Sequence, residues 1–82
     1  MNIYIANLGF NVQSEDLRKQ FAQYGEVISV NIVFDKVTNR SRGFGFIRMD
    51  DTAAAEKAIR ELNGSKLDNQ IIRVKEAKRI IE

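Results

Sequence analysis

The chain has 82 residues, 44% of them apolar, and a net charge of +2, with neither cysteine nor histidine, so it is one small domain whose core must hold without a disulfide or a zinc site. The same absences remove thiolate nucleophiles, imidazole bases and the common transition-metal ligands, and no metal, cofactor or catalytic residue is expected. The opening residues MNIYIANLGF carry neither a basic leader nor a long apolar run, which predicts a soluble, cytoplasmic protein without secretion signal or membrane span.

The first predicted strand is IYIANL at 3–8, where Ile3 and Ile5 share one parity and Tyr4 takes the other. Ser14 then reads as the N-cap of a helix reaching about Gln23, with Glu15 and Asp16 in its first turn and Leu17, Phe21 and Tyr24 as its apolar stripe. Gly25 follows as an expected left-handed stop. Residues 27–34 are β-branched and aromatic enough for a second strand, with Val30 and Ile32 inward and Asn31 and Val33 on the open face. A polar connection over 35–41 contains Asn39, which tolerates positive φ and suits a long-looped hairpin.

The third strand, RGFGFIRM at 42–49, is the most informative stretch. Strict alternation puts Arg42, Phe44, Phe46 and Arg48 on one face and Gly43, Gly45, Ile47 and Met49 on the other. Ile47 and Met49 supply a credible core edge, so the two phenylalanines belong on the open face. Rings flanked by arginines suit single-stranded bases, which stack on aromatic faces and bring a phosphate with each nucleotide. The glycines are expected to leave room beneath the sheet for a packed helix. A phosphate-cradling loop would need further glycines leading into a helix, whereas Phe46 and Ile47 follow here.

A second helix opens near Asp51 or Thr52 and presents Ala55, Ala58, Ile59 and Leu62 at helical spacing before Asn63-Gly64 closes it. Residues 66–70 form a turn or irregular hairpin, and 71–75 the last strand, with Ile72 and Val74 inward and Arg73 and Lys75 outward. The order predicts an α+β, ferredoxin-like βαββαβ sandwich: a four-stranded antiparallel sheet in the order 4-1-3-2 with two helices on one face. The central strand pair then brings Tyr4, Phe44 and Phe46 together. Helical acids and bases such as Glu15, Arg18, Glu56 and Arg60 read as solvated helix faces, so the modest total charge conceals a basic open face carrying Arg42, Arg48, Arg73 and Lys75.

IYIANL and RGFGFIRM, in this order and separation, resemble the two signature strands of the RNA recognition motif family, and the likeness extends over the whole chain. The resemblance implies that Tyr4 stacks one base, Phe46 stacks its neighbour, Phe44 lies against the sugars, and Arg42 pairs with the intervening phosphate. Arg48, Arg73 and Lys75 lie on the open parity, where they either contact the nucleic acid or form a solubilising edge; the resemblance implies that the Glu76-Ala77-Lys78 exit reaches bases, and Asn31 lies on the same face. Lys36 and Arg40 either grip phosphate from the hairpin loop or are simply solvated, and Asn7 is read as structural.

Met49 stands where the family octamer usually ends in an aromatic ring, but on the core parity. Asn39 and Asn69 replace common turn glycines. The expected domain is 1–78 with a short tail at 79–82, similar to small single-domain bacterial RNA-binding proteins or to a domain excised from a larger factor. Ile80 and Ile81 either rest across the platform or belong to a frayed end. The resulting expectation is a monomeric module for single-stranded RNA with loose sequence preference and a post-transcriptional role, without membrane or small-molecule substrate. Single-stranded DNA stays open as a ligand, because stacking does not read the 2′-hydroxyl. A protein-interaction module of the same fold is the alternative, and an enzyme of this fold would need a phosphate loop that residues 7–13 do not resemble.

Overall fold

The computed structural model describes residues 1–39 and 41–77, with Ser41 and Arg42 described by their backbone. Three strands, β1 (Asn2–Ala6), β2 (Ser29–Phe34) and β3 (Ser41–Arg48), two helices, α1 (Ser14–Ala22) and α2 (Thr52–Leu62), and a closing strand β6 (Arg73–Ala77) form the domain. A small separate hairpin, β4 (Lys66–Leu67) with β5 (Gln70–Ile71), lies between α2 and β6. The main sheet is antiparallel in the order β2-β3-β1-β6, which is the expected 4-1-3-2 read from its other edge.

The alternation in β1 works as expected. Ile3 and Ile5 are fully buried, and they join Leu17 and Phe21 of α1, Ile47 and Met49 at the end of β3, Ala55 and Ala58 of α2, and Ile72 and Val74 in one continuous core. Both helices supply this core, so they cover the same side of the sheet and leave the other open. Met49 is fully buried, in keeping with its core parity.

Helix starts are fixed by short carboxylates. Asp51 caps α2, its Oδ1 accepting from the Ala54 N–H at 3.1 Å. At α1 the N-cap is Gln13, one residue earlier than expected, because Asp16 reaches back to accept from the Gln13 N–H at 2.8 Å and draws Ser14 into the first turn.

Two glycine expectations are corrected. Gly25 is absent from the positive-φ residues, so it is not a left-handed stop. A Cβ there would lie 2.7 Å from the Ala54 Cβ, and its missing side chain lets the α1 exit and α2 approach each other. In β3, a Cβ on Gly45 would meet the Asn31 carbonyl oxygen at 2.7 Å and the Ile32 Cα at 3.2 Å. The space Gly45 spares is therefore occupied by the neighbouring strand and not by a helix. Gly43 adopts φ +83, beside the place where the β2–β3 register shifts between Ile32 and Phe34. A left-handed glycine at such a shift interrupts the pleat, and strict alternation holds from Phe44 onward.

The asparagine turns are as anticipated: Asn39 has φ 59, and Asp68 and Asn69 have φ 52 and 63. Two consecutive positive-φ residues between β4 and β5 make the tight turn that matches the twist of a two-residue hairpin.

Candidate nucleic-acid interface

The registers of three strand pairs assemble the open face row by row. Phe46 lies opposite Tyr4 on one side and Asn31 on the other, and Tyr4 lies opposite Lys75. Asn31, Phe46, Tyr4 and Lys75 therefore form one line across all four strands. The next row toward the end of β1 holds Phe44, Ala6 and Arg73, and the row on the other side holds Arg48 and Asn2.

The three rings touch one another. Tyr4 lies 5.6 Å from Phe46 and 6.0 Å from Phe44 between centroids, and Phe44 meets Phe46 edge-on at 6.3 Å. These spacings are those of favourable aromatic pairs. Each ring is half-buried, covered by its neighbours and open on the side away from the helices. The rings are absent from the core cluster. Full exposure is thus replaced by a cluster that shares its edges and offers its remaining surface to solvent.

Cations surround the cluster unevenly. The Lys75 ammonium sits over the Tyr4 ring, 5.4 Å from its centroid. Arg73 is exposed one row further along β6. Arg48 is exposed but already paired, its Nε 3.4 Å from an Asp50 oxygen; this carboxylate lies just beyond the predicted strand, 42–49, and so outside a survey of that strand's open face. The Arg42 side chain and Lys78 lie outside the described residues, as do Arg40 and the tail isoleucines Ile80 and Ile81.

Asn7 takes the structural role expected of it. Its backbone is left-handed at φ 63, its Nδ2 donates to the Ile71 carbonyl at 2.7 Å, and its own carbonyl accepts from Gln70 Nε2 at 3.0 Å. These bonds tie the end of β1 to the β4–β5 hairpin. Beyond them, an open groove of about 710 Å³ continues from Tyr4 and Phe44 over Ala6 to Phe10 in the β1–α1 loop. Phe10 is 74% exposed, and the sequence alone does not mark it. The only available signal was an aromatic residue in a loop whose next apolar side chain, Val12, fills the core.

Residues 3–73 match the RNA recognition motif family. The chain belongs to that family. The family is one of RNA-binding modules and not of enzymes. The chain is 40% identical over 78 residues to RbpE of Nostoc sp., named as an RNA-binding protein, covering 95% of this chain and 79% of the relative. It is 42% identical over 74 residues to glycine-rich RNA-binding protein 8 of Arabidopsis thaliana, covering 90% of this chain and spanning only 44% of that relative's length. Among solved structures, the RNA-binding protein PG1 superposes with a TM-score of 0.94 at 44% identity, covering 100% of this chain and 99% of that one. The Rna15 RNA recognition motif with bound RNA gives 0.84 at 26% identity, covering 95% and 83%. Among the described residues, no helix is long and apolar enough to cross a membrane.

Proposed function

We propose that this domain binds single-stranded RNA by stacking about two to four nucleotides on the Tyr4, Phe44 and Phe46 cluster, with loose sequence preference and a post-transcriptional role. The observation that carries this reading is the placement of three mutually touching rings on the open side of the two central strands, while Ile3, Ile5, Ile47 and Met49 fill the core on the other side. A ring cluster of this kind is sequence-tolerant because every base has a π-face.

In this reading Tyr4 and Phe46 stack adjacent bases and Phe44 lies against the sugars. Lys75, now over Tyr4, swings from the ring to a phosphate as the base arrives. Arg73 extends the contact along β6, Asn31 offers its amide to a base at the β2 end of the central row, and Arg48 contributes once it exchanges Asp50 for a phosphate. Arg42 and Lys78 are assigned only by family resemblance. The competing reading of a protein-interaction module is better served by rings covered by another element, and among the described residues both helices pack against the opposite face.

Titration of short RNA and DNA oligonucleotides into isotope-labelled protein, followed by amide and aromatic chemical shifts, tests the proposal. The expected result is movement of the β1 and β3 signals around Tyr4, Phe44 and Phe46, with α1 and α2 nearly still. Shifts confined to the helices would overturn it.

A further inference from the structure

We infer that Asn63, at the carboxyl end of α2, is a deamidation site that the fold keeps latent, and that its conversion to aspartate lowers nucleic-acid affinity. Of the chain's seven asparagines, only Asn63 is followed by glycine. The reaction joins the next amide nitrogen to the asparagine side chain, and a glycine leaves that approach uncrowded. The Gly64 nitrogen, its proton lost to hydroxide, attacks Asn63 Cγ; the Cγ–Nδ2 bond breaks, and Nδ2 takes a proton from water and leaves as ammonia. Water then opens the succinimide at either carbonyl, giving aspartate or isoaspartate.

Two hydrogen bonds and the backbone hold this off in the native chain. Asn63 Oδ1 accepts from the Val74 N–H at 3.0 Å, which commits the side chain to β6. The Gly64 N–H donates to the Ile72 carbonyl at 2.9 Å, which shields its proton from hydroxide. Asn63 stands at ψ 123, turning the Gly64 nitrogen away from Cβ, whereas a five-membered ring needs the two nearly eclipsed. Ile72 also donates to the Ser65 carbonyl at 2.9 Å, so residues 63–65 are clamped to 72–74 and the β4–β5 hairpin closes the loop between them. Asn7 Nδ2, on the Ile71 carbonyl at 2.7 Å, ties that loop to β1. Opening the loop frees Asn63 while both helices and the main sheet stay in place.

Asn63 lines one cavity with Tyr4, Arg73 and Lys75. A carboxylate in its place still accepts from Val74, so the aspartyl product keeps the fold and sets a negative charge beside the two cations that the proposed binding mode turns toward phosphate. This consequence rests on that binding mode. The isoaspartyl product lengthens the main chain by one carbon and spoils the clamp.

Ageing the full chain at mildly alkaline pH, in buffer and in guanidinium chloride, tests the site without RNA. Peptide mapping reads the mass gain of amide-to-acid conversion and the isoaspartate formed. Unfolded, Asn63 should convert ahead of the other asparagines; folded, it should convert at least about 10-fold more slowly than unfolded. Asn7→Gly keeps the left-handed backbone and removes the tie to Ile71, so it should speed conversion in buffer by about 2- to 10-fold and leave the unfolded rate unchanged. Equal rates in both states would overturn the clamp. Conversion no faster than at the other asparagines would remove the site, and a folded rate indifferent to Asn7→Gly would rule out opening of the hairpin.

Asn63→Asp carries the product into binding, with Phe46→Ala measured alongside. Asn63→Asp should melt close to the parent and bind a short single-stranded RNA about 2- to 5-fold more weakly at low salt, a difference that fades as salt rises. If it binds as the parent does while Phe46→Ala weakens binding, the charge effect is wrong and the platform stands; if neither weakens it, both readings fail. A loss that salt does not relieve would assign the effect to a disturbed clamp and contradict the charge effect.

Discussion

At Gly45, opposite Ile32 on β2, an added methyl would come within 2.7 Å of the Asn31 carbonyl oxygen, and neither backbone has a flexible end to move aside. Gly45→Ala should therefore destabilise the fold by about 1–3 kcal/mol through overpacking. Urea unfolding measures it, and a neutral result would show that β2 and β3 can separate there. The sequence did not reveal this role, because the contact lies on a strand a dozen residues away, and a glycine's missing Cβ leaves no periodic trace. Parity did identify the direction of Phe44, Phe46 and Ile47, whose neighbours alternate without interruption. Ile47→Ala should cost about 2–5 kcal/mol of stability with little direct effect on binding in the folded protein. Arg48 poses a local electrostatic question. Its pair with Asp50 is exposed on both sides, at 59% and 65%, so Asp50→Asn should change stability by less than about 1 kcal/mol. It should instead raise oligonucleotide affinity at low salt and steepen the salt slope by about 0.7. An unchanged slope would show that Arg48 stays away from the strand.

The helices and turns were largely legible because their signals are local. The Leu17 and Phe21 stripe, the Asp51 cap and the positive-φ asparagines each announce themselves within a few residues. Element contacts across the chain were less so, and Gly25 is the clearest case: its position after α1 imitates a helix stop, whereas its role is set by Ala54 on α2. A double-mutant cycle separates the two. Gly25→Ala should destabilise by about 1–3 kcal/mol. Ala54→Gly should cost about 1 kcal/mol alone through helix propensity, and the pair should recover part of the sum. Simple additivity in unfolding free energy would restore the turn explanation. The sequence over 66–70 predicts only a turn or irregular hairpin, where the β4–β5 hairpin stands. Its importance comes from Asn7 and Gln70, which bond across more than sixty positions and shape the wall of the Phe10 groove.

Across the whole molecule, the proposed binding mode assigns stacking and charge to different groups, which should respond differently to salt. If the described open-face cations, Arg73 and Lys75 with Arg48 half-engaged by Asp50, act as proposed together with Arg42, they would make about two to four phosphate contacts. The logarithm of affinity should then fall with the logarithm of salt with a slope of about 1.4–2.8. A much steeper slope would mean that the strand wraps onto the loop or helices. Whether the ring cluster is a binding surface rather than core is decided by the Phe44→Ala/Phe46→Ala double variant. The rings share edges, so some stability is lost with them, about 0.5–1.5 kcal/mol per aromatic pair, and cooperative unfolding should be followed on the same sample. Its affinity for a short single-stranded RNA should fall by about 2 kcal/mol or more while the protein remains folded; a folded double variant that binds as tightly as the parent would contradict the account.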